Sequence, residues 1–187
     1  MRNLCFQHQI MNPMVIITDI HFGDKKNSKD FLFSQLEFFE KQFFPFLLEK
    51  NIKNVICLGD LINDRKTVNI ELTNILKEKF FSFFENQDIK FYWILGNHDI
   101  YYKNSLGINS SRLFKEFKSI IVIDKPIYDK SGKHLFIPWI IPDNHNEYKE
   151  YLKSDVEKLY GHFEINGFEI IKDFKFKDGL SQASFKY

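Results

Sequence analysis

A chain of 187 residues, 44% hydrophobic and 27% charged, has the composition of one folded domain rather than a disordered segment. Its 26 Lys and Arg against 25 Asp and Glu leave a formal net charge of +1, which excludes coating of nucleic acid by bulk charge but not a local basic patch. Two cysteines, Cys5 and Cys57, make neither a disulfide framework nor a Cys-based zinc site, and no apolar run reaches the roughly 18–20 residues that span a membrane.

Residues 1–13 lack a periodic apolar pattern and read as an N-terminal extension, without the continuous apolar stretch of a signal peptide. Residues 14–187 read as one domain in a reducing, cytoplasmic setting. Residues 14–18 form a short buried strand that ends in Asp19-Ile20-His21-Phe22-Gly23-Asp24. Leu32, Leu36, Phe39, Phe43 and Leu47 then recur at helical spacing, with Pro45 expected to kink or end the helix. Residues 55–58 are a second apolar strand, with Cys57 as a buried thiol, and run into Gly59-Asp60-Leu61-Ile62-Asn63-Asp64-Arg65-Lys66. Leu72, Ile75, Leu76, Phe80 and Phe83 mark a second helix, and the phenylalanines of both helices are assigned to the core. Residues 91–95 are a third strand, ending at Gly96-Asn97-His98-Asp99.

Beyond this point the pattern is choppier. It predicts a short helix over 110–117, a strand over 120–123, and a hairpin of 127–128 with 134–137. A helix over 144–154 and a strand over 156–160 follow, the strand ending in Gly161-His162. Strand, polar loop and helix alternate three times in the first half, so the fold class is α/β, with parallel strands and helices layered on the sheet. Ligands in such sheets sit beyond the carboxyl ends of the strands, where all the polar clusters fall.

Those clusters offer carboxylate, amide and imidazole donors without thiolates, a set suited to Mn²⁺, Fe²⁺ or Zn²⁺. Asp19-x-His21 puts two donors on one side of an extended segment, because strand side chains alternate. Asp60 on the neighbouring strand end is placed to bridge to a second ion, and Asn97 adds a neutral oxygen. Each cluster alone has a plainer reading, as a surface turn or a helix cap. Their conjunction, each after an apolar strand, is what points to a two-ion clamp for phosphate esters.

Asp19-x-His21, Gly59-Asp60 and Gly96-Asn97-His98-Asp99 resemble the first three motifs of the calcineurin-like metallophosphoesterases. Residues 96–104, Ile137-Pro138-Trp139 and residues 161–167 narrow the resemblance to the recombination endonuclease subunits of T-even-type phages, which are similar to SbcD-type repair nucleases. The resemblance implies a layered sandwich of central β-sheets flanked by helices and two divalent ions, with Mn²⁺ preferred. Asp19 and His21 would hold the first ion, Asp60 would bridge, and Asn97 and His162 would hold the second. His98 would be the catalytic histidine, with Asp99 orienting its ring. Arg65, Lys66 and Lys103 are candidates for contact with DNA phosphates, and solvation competes for each. Tyr101 and Tyr102 would pack beside the site or in the core.

The implied partners are DNA, an SbcC-type ATPase, and a second copy in a homodimer, in the host cytoplasm if the chain is viral. The family continues into a Gly-His-x-His motif, which does not follow His162 in this sequence; His8, His134 and His145 stand in no matching context and read as surface or structural residues. The fold is therefore expected to be incomplete at its C-terminus, through a split gene, a truncated reading frame or a cut chain, with a separate C-terminal piece as one source of the missing ligands. Asn63 departs from the acid that the phage pattern carries. The implied function is hydrolysis of DNA phosphodiesters. The alternatives are a calcineurin-like phosphoesterase acting on another phosphoester, and a catalytically weak binding remnant.

Overall fold

The three apolar runs that lead into the polar clusters form the middle and one edge of a parallel sheet. In the computed structural model, which describes residues 13–171, 174–175 and 179–185, strands β1 (Met14–Ile17), β2 (Asn54–Cys57) and β3 (Lys90–Ile94) are the first three. Two strands of a hairpin, β4 (Ile100–Tyr102) and β5 (Ser105–Asn109), follow, and then β6 (Ile120–Ile123). The sheet order is β1-β2-β3-β6, all parallel, with Val55 level with Val15 and Phe91.

Strand alternation divides the core. Val55, Cys57, Phe91 and Trp93 face a layer of helices, while Ile56, Tyr92 and Ile94 face the other way and meet Phe136 and Tyr160. These last two belong to a second sheet of β7 (Ile127–Asp129), β8 (His134–Ile137) and β9 (Lys158–Gly161), in which β7 is antiparallel and β9 parallel to β8. Its far face, through Leu135 and Ile137, packs on Tyr148 of a helix over His145–Leu152. The layers therefore run helix, sheet, sheet, helix, as expected for the sandwich. A small hairpin of β10 (Glu169–Ile171) and β11 (Phe174–Lys175) follows β9. The predicted helix over 110–117 is a 3₁₀ turn, Ser110–Phe114.

Helix α1 covers 29–49 and α2 covers 70–86. The Ser28 hydroxyl caps α1 by accepting from Phe31 N, and Asn69 Oδ1 caps α2 by accepting from Glu71 N at 2.8 Å. Pro45 does not end α1. A π turn over Phe39–Phe43 precedes it, closed by Phe44 N donating to Phe39 O, and this wider turn accommodates a ring with no N–H to give. The assignment of all helical phenylalanines to the core needs correction. Phe39, Phe43, Phe44, Phe80, Phe81 and Phe84 are buried, but Phe31, Phe33, Phe38 and Phe46 are between 37% and 49% exposed. Neighbouring residues on a helix point about 100° apart, so runs such as Phe38-Phe39 and Phe31-Leu32-Phe33 cannot all face the sheet. No helix among the described residues is long and apolar enough to cross a membrane. Cys57 is buried, as expected; Cys5, His8 and the proposed extension up to residue 12 lie outside the described residues.

Candidate metal centre

The loops after β1 and β2 run side by side. Asp19 N donates to Gly59 O, His21 N to Asp60 O at 3.0 Å, Phe22 N to Leu61 O, and Asn63 N returns to Phe22 O. To make this ladder Asp19, His21 and Asp60 adopt left-handed backbone angles, with φ of 53°, 50° and 53°. Asp and His tolerate this region better than most residues, yet each such position costs about 1–3 kcal/mol, which the surrounding contacts must offset. Gly59, at φ 119°, is required on two counts. A Cβ there would stand 2.8 Å from Gly96 Cα and 2.9 Å from His162 Nδ1, so only glycine lets the loops after β2, β3 and β9 converge.

Asp60 sits at the meeting point and is almost fully buried. Its Oδ1 accepts from His98 N at 2.9 Å, which fixes the carboxylate. Its Oδ2 lies 3.7 Å from His21 Nε2 and 3.4 Å from His162 Nε2. Ligand atoms of His21, Asp60 and His98 all lie within 4.8 Å of one another, as do those of Asp19, Asp60 and His162. Asp60 belongs to both groups. The His21 imidazole, 3.7 Å from Asp19, holds that carboxyl down at about 2, with Thr18 and His162 adding to the effect against partial burial. Asp19 in turn raises the His21 pKa. His21 turns Nε2 toward both Asp19 and Asp60, while its Nδ1 is buried and has no hydrogen-bond partner. Oxygen and imidazole donors that share one carboxylate fit a pair of divalent ions.

The His98 ring meets the His21 ring edge-on at 4.9 Å. Its Nδ1 lies 2.6 Å from the Asn63 carbonyl oxygen. A carbonyl only accepts, so Nδ1 carries the proton and Nε2 is left free. The expectation that Asp99 orients this ring is therefore corrected. Asp99 is buried, and Oδ2 accepts from Asp60 N, Gly96 N and Trp93 Nε1 at 2.9, 2.9 and 3.1 Å, while Oδ1 accepts from Leu61 N and Ile62 N. It ties the loop after β2 to the loop after β3. Burial pushes its carboxyl above the usual range, and these donors oppose the rise. The Asn63 contact runs through the backbone, so the departure from an acidic side chain there does not affect it, and residue type gave no signal for it.

Asn97 lies half-buried in the loop between Gly96 and His98. Arg65 is half-buried, and its Nε donates to Ile100 O at 3.2 Å. Lys66 Nζ stands 5.9 Å over the Tyr101 ring, and Lys103 is exposed at the turn between β4 and β5. Tyr102 on β4 is also exposed rather than in the core. His134 is buried in β8, in keeping with a structural role, and His145 packs on Tyr148.

The chain is 31% identical over 139 residues to "Exonuclease subunit 1" of Enterobacteria phage T4, a match covering 72% of this chain and 41% of that relative. A family model described as calcineurin-like phosphoesterase matches residues 13–182, which span every strand and helix that carries the cluster. The chain belongs to the calcineurin-like phosphoesterase family.

Proposed function

We propose that the chain hydrolyses DNA phosphodiesters in a metal-dependent reaction, as the nuclease subunit of a phage recombination complex that includes an SbcC-type ATPase. The observation that carries this reading is the position of Asp60, one buried carboxylate common to two groups of ligand atoms at the strand ends. The nuclease assignment draws on the T4 relative, whose name is that of an exonuclease subunit. Asp19, His21, Asp60, Asn97 and His162 would hold two divalent ions, with Mn²⁺ the proposed metal. Such ions supply Lewis acidity at a phosphoryl oxygen and acidify water at neutral pH.

The protein's own part is positional. His98 N and the Asp99-tied loops hold Asp60 at a fixed angle, so the shared carboxylate does not have to be organised during the reaction. With Nδ1–H committed to the Asn63 carbonyl, His98 Nε2 is the atom that holds a proton for the leaving oxygen or donates to the charged phosphoryl group. Arg65, Lys66 and Lys103 are the proposed contacts to flanking phosphates.

The test compares linear double-stranded DNA with aryl phosphate mono- and diesters, with Mn²⁺ present or chelated. The proposal expects DNA degradation that requires Mn²⁺, is lost in Asp60→Ala, and rises when a segment carrying Gly-His-x-His is supplied in trans. Hydrolysis confined to small esters would instead favour a phosphoesterase with another substrate.

A further inference from the structure

His162 has two sides. Its Nε2 faces Asp60, and beyond the ring lies a cavity of about 170 Å³ lined by Trp139, Ile140, Phe163, Glu164 and Leu180. The Trp139 ring stands 6.0 Å from the His162 ring, centroid to centroid. Three features describe what the cavity accepts. Two of its walls are aromatic, and among the described residues no lysine or arginine lines it, a lining that suits a flat ring better than a phosphate. Among the described residues Glu164 is the one carboxylate on its lining, an acceptor for amino groups and a repulsive neighbour for anions. The position is held by backbone contacts: Trp139 N donates to Leu95 O at 2.7 Å, and Leu180 N donates to Glu164 O at 2.8 Å. The first of these ties the Trp139 wall to the end of β3, one residue before the Gly96-Asn97-His98 loop.

We propose that this cavity is a base subsite: Trp139 and Phe163 stack the planar heterocycle of the nucleotide whose phosphate lies at the Asp60 cluster. The inference rests on the phosphoesterase reading and deepens it by naming the side chains that hold the base beside the phosphate. Stacking on an aromatic wall tolerates every base because each has a π face, so the subsite selects for a base without selecting a sequence. It also gives Ile137-Pro138-Trp139 a role, since the proline and the bond to Leu95 hold the indole at the end of β8.

Titration calorimetry of the full chain with Mn²⁺ tests this, using deoxyadenosine 5′-monophosphate and, in parallel, 2-deoxyribose 5-phosphate, which keeps the phosphate and lacks the base. The nucleotide is expected to bind about tenfold more tightly, the low end of what one stacked base contributes. Trp139→Leu, an apolar change that keeps much of the volume, is expected to bring the two affinities together, and Trp139→Phe to keep most of the difference. Equal binding of both ligands by the unaltered chain, or a preference that survives Trp139→Leu, overturns the base subsite and leaves the phosphoesterase reading standing. Binding of neither ligand removes the phosphoesterase reading, and the subsite with it.

Discussion

Asp99 shows how much of the site is carried by a residue that touches no substrate. Five N–H groups converge on its carboxylate, three of them from consecutive residues, Asp60 to Ile62. Asp99→Asn would turn an amide NH₂ toward those donors. Leaving buried donors unsatisfied costs about 1–3 kcal/mol each, so the substitution is expected to lower stability by at least about 2 kcal/mol in urea unfolding. A change under about 0.5 kcal/mol would mean the carboxylate is not what holds the loops. His134 makes a second case. It is buried against Tyr160 and Phe136 with Nδ1 unpartnered, and burial, with Lys158 adding, lowers its pKa. Below the unfolded value of about 6.5 the unfolded chain takes up a proton that the folded chain resists. The stability tied to neutral His134 is therefore complete above that pH and lost as pH falls through the depressed folded value. Melting temperature between pH 7.5 and 5 is expected to drop less in His134→Leu than in the unaltered chain; equal slopes would assign the loss to other groups. Asp19, His21, Asp60, Asn97, His98 and His162 were legible as one constellation because donors of those types end apolar strands. It did not show that Asp99 faces inward or that Asn63 acts through its carbonyl, since backbone hydrogen bonding leaves no mark on residue type.

At the scale of elements, the central strands were legible as unbroken apolar runs, because a parallel strand is buried on both faces. The hairpin of β4 and β5 was not, since its Lys103-Asn104 turn joins short strands whose pairing shifts register between Ile100 and Tyr102. The second sheet was half-read: β7 and β8 followed from their turn, but nothing local announces that β9 adds parallel to β8. The helices carried the opposite difficulty, more apolar residues than one face can hold. Phe80 is fully buried, with the rings of Phe22, Phe39, Phe81 and Phe84 all between 5.0 and 5.2 Å away, whereas Phe33 is 47% exposed. Phe80→Ala is expected to cost about 3–5 kcal/mol. Phe33→Ala is expected to stay within about 0.5 kcal/mol. Comparable losses at both positions, measured by denaturant unfolding, would contradict the burial pattern of α1 and α2.

For the whole molecule, two sheets pressed face to face bring loops from distant parts of the chain to one edge. Asp19 and His162 lie 143 residues apart in sequence, yet both stand beside Asp60, because β1, β2 and β9 all deliver their carboxyl ends to the same side. Among the described carboxylates and histidines, Asp60 alone belongs to both donor groups. Mn²⁺ titration of the unaltered chain beside Asp60→Asn, His21→Ala and His162→Ala measures this difference directly, with the stoichiometry read by calorimetry and the pairing of ions by electron paramagnetic resonance. Two Mn²⁺ per chain with a coupled signal are expected, each histidine variant weakening one site and Asp60→Asn disabling both. Unchanged stoichiometry and affinity in Asp60→Asn would contradict a shared carboxylate at the centre of the site.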